Sequence, residues 1–109
     1  MTNYRRVTSL DELWSGEMAA FKVSGCRVLV VRLGDDVFAY EDRCAHLGVP
    51  LSTGRLEDGV LTCRAHHFQY DAATGRGINP GNVRLRTIPV QIENGEVRVA
   101  VKDSEVTGA

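Results

Sequence analysis

The residues best suited to chemistry lie in two short stretches, Cys44-Ala45-His46-Leu47-Gly48 and Cys63-Arg64-Ala65-His66. Each joins one thiol to one imidazole, and sixteen residues separate His46 from Cys63, so the pattern is C-x-H-x16-C-x2-H. Thiolates and neutral imidazoles are metal donors, and four of them in two loops read as a metal site. By spacing alone His67 could serve in place of His66.

The alternation bears on the choice of metal. A structural zinc site commonly pairs two Cys on one knuckle with two His on a following helix, and no helical pattern follows here. A two-iron cluster with two thiolates on one iron and two imidazoles on the other needs the donors this chain supplies. If each loop gives one ligand to each iron, the loops clamp the cluster between them. Zinc, a single iron, or two buried cysteines unrelated to two surface histidines are the other readings.

The elements around these loops read as strands. Tyr4–Thr8 is a candidate first strand, and Ser9 followed by Glu12 has capping-box spacing, which predicts a short helical turn over 9–15 ended by Gly16. Trp14 in that turn is expected to plug one end of the core. From Glu17 the pattern has period two up to a turn at Ser24-Gly25. A β-branched run, Cys26–Leu33, follows, then a turn at Gly34-Asp35-Asp36 and a strand over Val37–Tyr40 that delivers the chain to Cys44. The first loop spans about 43–53. Arg55-Leu56 leads to a turn at Glu57-Asp58-Gly59, Val60–Thr62 presents Cys63, and Phe68–Tyr70 leaves the second loop as a strand. Asp71–Asn82 is rich in turn residues. Val83–Glu93 and Glu96–Val101, joined by Asn94-Gly95, form a hairpin. The expected fold is all-β, a small sandwich of antiparallel sheets with the two metal-binding loops at one tip. One domain spans 1–109, with an ordered core over about 4–101 and a frayed tail over 102–109.

Composition excludes several classes. With 109 residues, 43% hydrophobic, 25% charged and a formal net charge of -1, the chain has no nucleic-acid-binding or disordered character. No apolar run approaches the roughly 20 residues of a membrane span, and the N-terminus has no apolar segment of the signal-peptide kind. Three cysteines, two of them assigned to metal, fit a reducing cytoplasm better than a disulfide scaffold. Cys26, within the β-branched run, reads as a small buried hydrophobe. Arg43, Arg55, Arg64 and Arg76 lie in or beside the loop segments and could form a basic rim.

From about Tyr4 to Val101 the chain resembles the Rieske ferredoxin family, on the motifs C-A-H-L-G at 44–48, C-R-A-H at 63–66, Tyr70-Asp71 and Thr74-Gly75. Within that family it is most similar to the ferredoxins of multicomponent aromatic and alkene monooxygenases (the toluene-type diiron systems), through Ser9–Met18 and Gly75–Pro80. The resemblance implies a Rieske fold and one [2Fe-2S] cluster, with Cys44 and Cys63 on the buried iron and His46 and His66, rather than His67, on the outer one. Leu47, Gly48, Ala65, Tyr70 and Pro80 are the candidates to surround it. High-potential members carry a disulfide over the cluster; the matching positions here are Val49 and Ala65, and the hydroxyl those members place after the second His falls on Phe68. Tyr70 matches a tyrosine whose hydroxyl reaches a ligand sulfur. A low-potential centre, nudged upward by Tyr70, is expected.

The role implied is a cytoplasmic, monomeric one-electron carrier and not itself an enzyme. It would pass electrons from an NADH-dependent flavin reductase to the hydroxylase of an oxygenase, a diiron hydrocarbon monooxygenase, with neither nucleic acid nor membrane as partner. The alternatives are the ferredoxin of a Rieske aromatic-ring dioxygenase, a small subunit of a nitrite-reductase-like enzyme, and, from another class, a zinc-stabilised interaction module.

Overall fold

The run Val28-Leu29-Val30-Val31 has no polar position, and all four side chains are fully buried. Successive strand residues point to opposite faces, so such a run needs a layer on each side. The computed structural model, which describes residues 4–44, 49–65, 67–79 and 81–101, supplies both. The strand bearing the run, β3 (Cys26–Leu33), lies inside a central sheet with β2 (Met18–Val23), β4 (Asp36–Glu41) and β9 (Thr87–Ile88), in the order β2-β3-β4-β9. On one face Val28 and Val30 pack with Val97 and Val99. These belong to a second sheet, made of β1 (Tyr4–Ser9), β11 (Glu96–Ala100) and β10 (Val90–Glu93) in the order β1-β11-β10. On the other face Leu29 and Val31 pack with Tyr40, Leu61, Tyr70 and both loop cysteines. The third sheet there is a meander of β5 (Arg55–Glu57), β6 (Val60–Thr62), β7 (Gln69–Asp71) and β8 (Gly77–Asn79). The all-β antiparallel fold is as expected, with a middle sheet covered on both faces.

The two-residue turns account for the hairpin registers. Ser24-Gly25, Asp58-Gly59 and Asn94-Gly95 each hold both central residues at positive φ, between 50° and 82°, the mirror-image turn whose twist matches its flanking strands.

Four local expectations are corrected. One hydrogen-bonded turn forms, the Glu12 amide donating to the Ser9 carbonyl at 3.0 Å, but no helix continues from it over 9–15. The Arg32 guanidinium donates to the carbonyls of Leu10 and Leu13 at 2.8 and 2.9 Å, and the Trp14 amide donates to the Glu17 carboxylate. The acceptor and donor that would have continued a helix are thereby taken. Trp14 does not plug the core: it is 69% exposed, and Leu13, 3% exposed, fills that place. The stretch expected as one strand over Val83–Glu93 changes sheets at Pro89, with β9 paired to β4 and β10 to β11; proline has no amide to donate and so suits the crossing. Inside the turn-rich 71–82, β8 pairs with β7 through an irregular register, a strand too short to show periodicity.

Candidate metal centre

Cys44 follows the end of β4 and Cys63 follows β6, so the central and third sheets each deliver one thiol to the same end of the molecule. Both loops close in the same way. The Cys44 amide donates to the Val49 carbonyl and the Cys63 amide to the Phe68 carbonyl, each at 2.8 Å. Each closure returns the chain five residues after its cysteine. His67 makes the second return possible with a φ of 54° and stands exposed.

Cys44 and Cys63 are buried, at 2% and 0% exposure. Burial pushes the Cys63 thiol up, as do a hydrogen bond and charge from Cys44; the Ala65 amide, which hydrogen-bonds the sulfur, and the Arg64 guanidinium act in the opposite direction. The thiols are thus neighbours in a dry place, where a metal would have to displace their protons. Tyr70, fully buried on β7, places its hydroxyl 3.3 Å from the Cys44 sulfur. Of the expected site residues, the structure brings together Cys44, Cys63, Tyr70 and the Ala65 amide. His46, Leu47, Gly48, His66 and Pro80 lie outside the described residues, and among those described no third donor joins the thiols. Paired buried sulfurs that each meet a protein hydroxyl or amide fit the thiolate half of an iron–sulfur site, where such hydrogen bonds tune the metal.

Several residues that position the loops carried no signal in the sequence. Asp42 is buried two positions before Cys44. Its carboxylate accepts from the Ser52 amide (2.9 Å), the Ser52 hydroxyl (2.8 Å) and Arg27 (3.1 Å). It ties the entry of the first loop to the 3-10 turn Leu51–Thr53 at its exit. Arg64, in the second loop, donates to the Thr53 hydroxyl at 3.0 Å and joins the two loops. Gly54 runs so close to β6 that a Cβ there would collide with the Thr62 carbonyl. Tyr40 donates to the Ala72 carbonyl at 2.7 Å and packs against Gly75, where a Cβ would lie 2.9 Å from its ring. Cys26 is half-buried against the other core cluster, not fully buried as expected.

Comparison with known proteins agrees with this geometry. The model of the Rieske [2Fe-2S] domain matches residues 3–89. The chain is 42% identical over 100 residues to the ferredoxin component of the alkene monooxygenase system of Xanthobacter autotrophicus, covering 91% of this chain and 82% of that one. This is the branch expected from Ser9–Met18. Among solved structures, the ferredoxin of carbazole 1,9a-dioxygenase from Nocardioides aromaticivorans superposes with a TM-score of 0.83 at 33% identity, covering 91% of this chain and 98% of that one. A carbazole 1,9a-dioxygenase ferredoxin solved in complex with its oxygenase gives a TM-score of 0.81 at 30% identity, covering 89% of this chain and 92% of that one. The chain belongs to the Rieske [2Fe-2S] family.

Proposed function

We propose that this chain is the ferredoxin component of a multicomponent oxygenase, a one-electron carrier and not the catalyst. It carries one Rieske-type [2Fe-2S] cluster, which when bound takes up and releases a single electron. The observation that carries the reading is the pair of buried thiols, Cys44 and Cys63, brought side by side by two identically closed loops.

In this reading Cys44 and Cys63 hold one iron, and His46 and His66 hold the other. The Tyr70 hydroxyl and the Ala65 amide donate to the two sulfurs and favour the state with more negative charge. Arg64 ties the two loops together and Asp42 holds the ends of the first, which limits rearrangement when the charge changes. Leu47, Gly48 and Pro80 complete the surroundings. Val49 and Ala65 leave no bridge over the site, which favours a low potential.

The electron comes from an NADH-dependent flavin reductase and goes to an oxygenase, in the preferred reading a diiron hydrocarbon monooxygenase, because an alkene monooxygenase ferredoxin is the 42% identical relative. The likeness to carbazole dioxygenase ferredoxins favours a ring dioxygenase as the second reading. Work as a monomer in the reducing cytoplasm goes with it; among the described residues no helix is long and apolar enough to cross a membrane.

The test is the visible and low-temperature EPR spectrum with iron analysis. Two irons per chain, silence when oxidised and a rhombic signal after dithionite are expected. The reduced protein is then mixed with the Xanthobacter alkene monooxygenase oxygenase and, separately, with a carbazole 1,9a-dioxygenase oxygenase. Reoxidation by the first supports the preferred reading, and by the second alone the other.

A further inference from the structure

Arg76 and Arg84 face each other across an isolated antiparallel bridge, and both are exposed. Directly opposed residues of an antiparallel pair project to the same side, where like charges repel and destabilise the pair. Among the described residues neither guanidinium has a carboxylate within ion-pair distance. Arg84 also borders a pocket of about 250 Å³ lined by Glu41, Arg43, Cys44, Arg84, Leu85 and Arg86. There Arg43 and Arg86 share the Glu41 carboxylate at 4.0 and 3.8 Å. Asp71 and Arg84 both act on Tyr40, so a further carboxylate lies in this neighbourhood. On a chain whose formal net charge is -1 this flank gathers four exposed arginines, Arg43, Arg76, Arg84 and Arg86.

The other arginines of the expected rim are engaged elsewhere, Arg55 with Glu57 and Arg64 with Thr53. Positive charge is concentrated on one flank, beside Cys44, and the opposition of Arg76 and Arg84 there costs fold stability.

We propose that the flank formed by Arg43, Arg76, Arg84 and Arg86 is the docking surface for a carboxylate-rich face of the oxygenase component. This rests on the carrier reading above. An acidic surface seated there would neutralise the Arg76–Arg84 repulsion on binding and would lie against the loop that holds Cys44. Complementary charge of this kind acts mainly on the rate of encounter and makes that rate fall with salt.

The experiment uses the cluster-loaded protein, reduced with dithionite and mixed in stopped flow with the Xanthobacter alkene monooxygenase oxygenase at several ionic strengths. The variants are Arg76→Gln/Arg84→Gln and, as a control, Arg5→Gln/Lys22→Gln, two cations that line a separate surface pocket between β1 and β2. The expected result is a second-order rate about tenfold lower at low salt for the first variant, with a flatter salt dependence. Its cluster spectrum should be unchanged and its melting temperature equal or higher, because the repulsion is gone. The control should match the parent. Function and stability then move in opposite senses, which a folding defect does not produce. A first variant with the parent's rate and salt slope overturns the docking proposal and leaves the carrier reading standing. A parent protein that delivers no electron either to this oxygenase or to the carbazole 1,9a-dioxygenase oxygenase overturns both.

Discussion

The Tyr70 hydroxyl lies 3.3 Å from the Cys44 sulfur, across 26 residues of chain. It reaches from β7, which leaves the second loop, to the cysteine that opens the first. When Cys44 is a thiolate the phenol is the donor, and the bond strengthens as the site gains negative charge. Tyr70→Phe should therefore lower the midpoint potential. A net hydrogen bond of about 0.5–1.5 kcal/mol corresponds to roughly 20–65 mV for one electron. Spectroelectrochemical titration checks this, and an unchanged potential would leave Tyr70 a packing role alone.

Asp42→Ala should loosen the first loop. Three hydrogen bonds converge on this buried carboxylate, and its loss leaves the Ser52 amide without its acceptor. A loss of about 2–3 kcal/mol is expected, read as a lower melting temperature together with faster cluster loss under chelator. Asp42→Asn should recover part of both.

Gly54→Ala should be far worse than its single methyl implies. The added Cβ would meet the Thr62 carbonyl and sit 3.3 Å from the Arg64 amide. That backbone cannot retreat without moving Cys63. Overpacking at such a place costs about 1–3 kcal/mol or more, and poorly loaded protein is expected from iron analysis. Gly81→Ala, whose Cβ would find among the described residues only the Gly77 carbonyl at 3.9 Å, should load normally.

Tyr40 sets an alkaline limit. Burial first, and the Asp71 charge second, push its phenol up to about 12 from 10.0. The folded state therefore holds this proton where the unfolded chain releases it. The stability involved is whole below pH 10 and is lost as pH rises from 10 towards 12. Tyr40→Phe should be less stable at neutral pH, by about 1–2 kcal/mol for the bond to Ala72. It should also show a shallower loss of stability between pH 10 and 12. Denaturant melts at several pH values test both parts.

Leu13 and Trp14 should respond in the opposite order to their size. Leu13→Ala should destabilise by about 2–5 kcal/mol, as expected for a buried leucine. Trp14→Ala, at a side chain 69% exposed, should stay within about 0.5 kcal/mol of the parent. Comparison of the two melting temperatures decides it.

The sequence by itself determined the two cysteines that the fold brings together and the strand-and-turn skeleton. Thiols, imidazoles, Asn-Gly and alternating apolar residues act through contacts a few positions apart, and those are legible along the chain. Family motifs also singled out Tyr70, because they specify which residue sits under the second loop. Tertiary structure decided the rest. Whether Leu13 or Trp14 faced the core depended on Arg32, some twenty residues away, taking the Leu10 and Leu13 carbonyls. The role of Gly54 came from its approach to β6, and that of Asp42 from a serine ten residues later. The opposition of Arg76 and Arg84 exists only because a bridge closes between them. Side-chain charge and backbone clearance have no period in sequence. They acquire meaning only when folding sets distant segments a few ångströms apart.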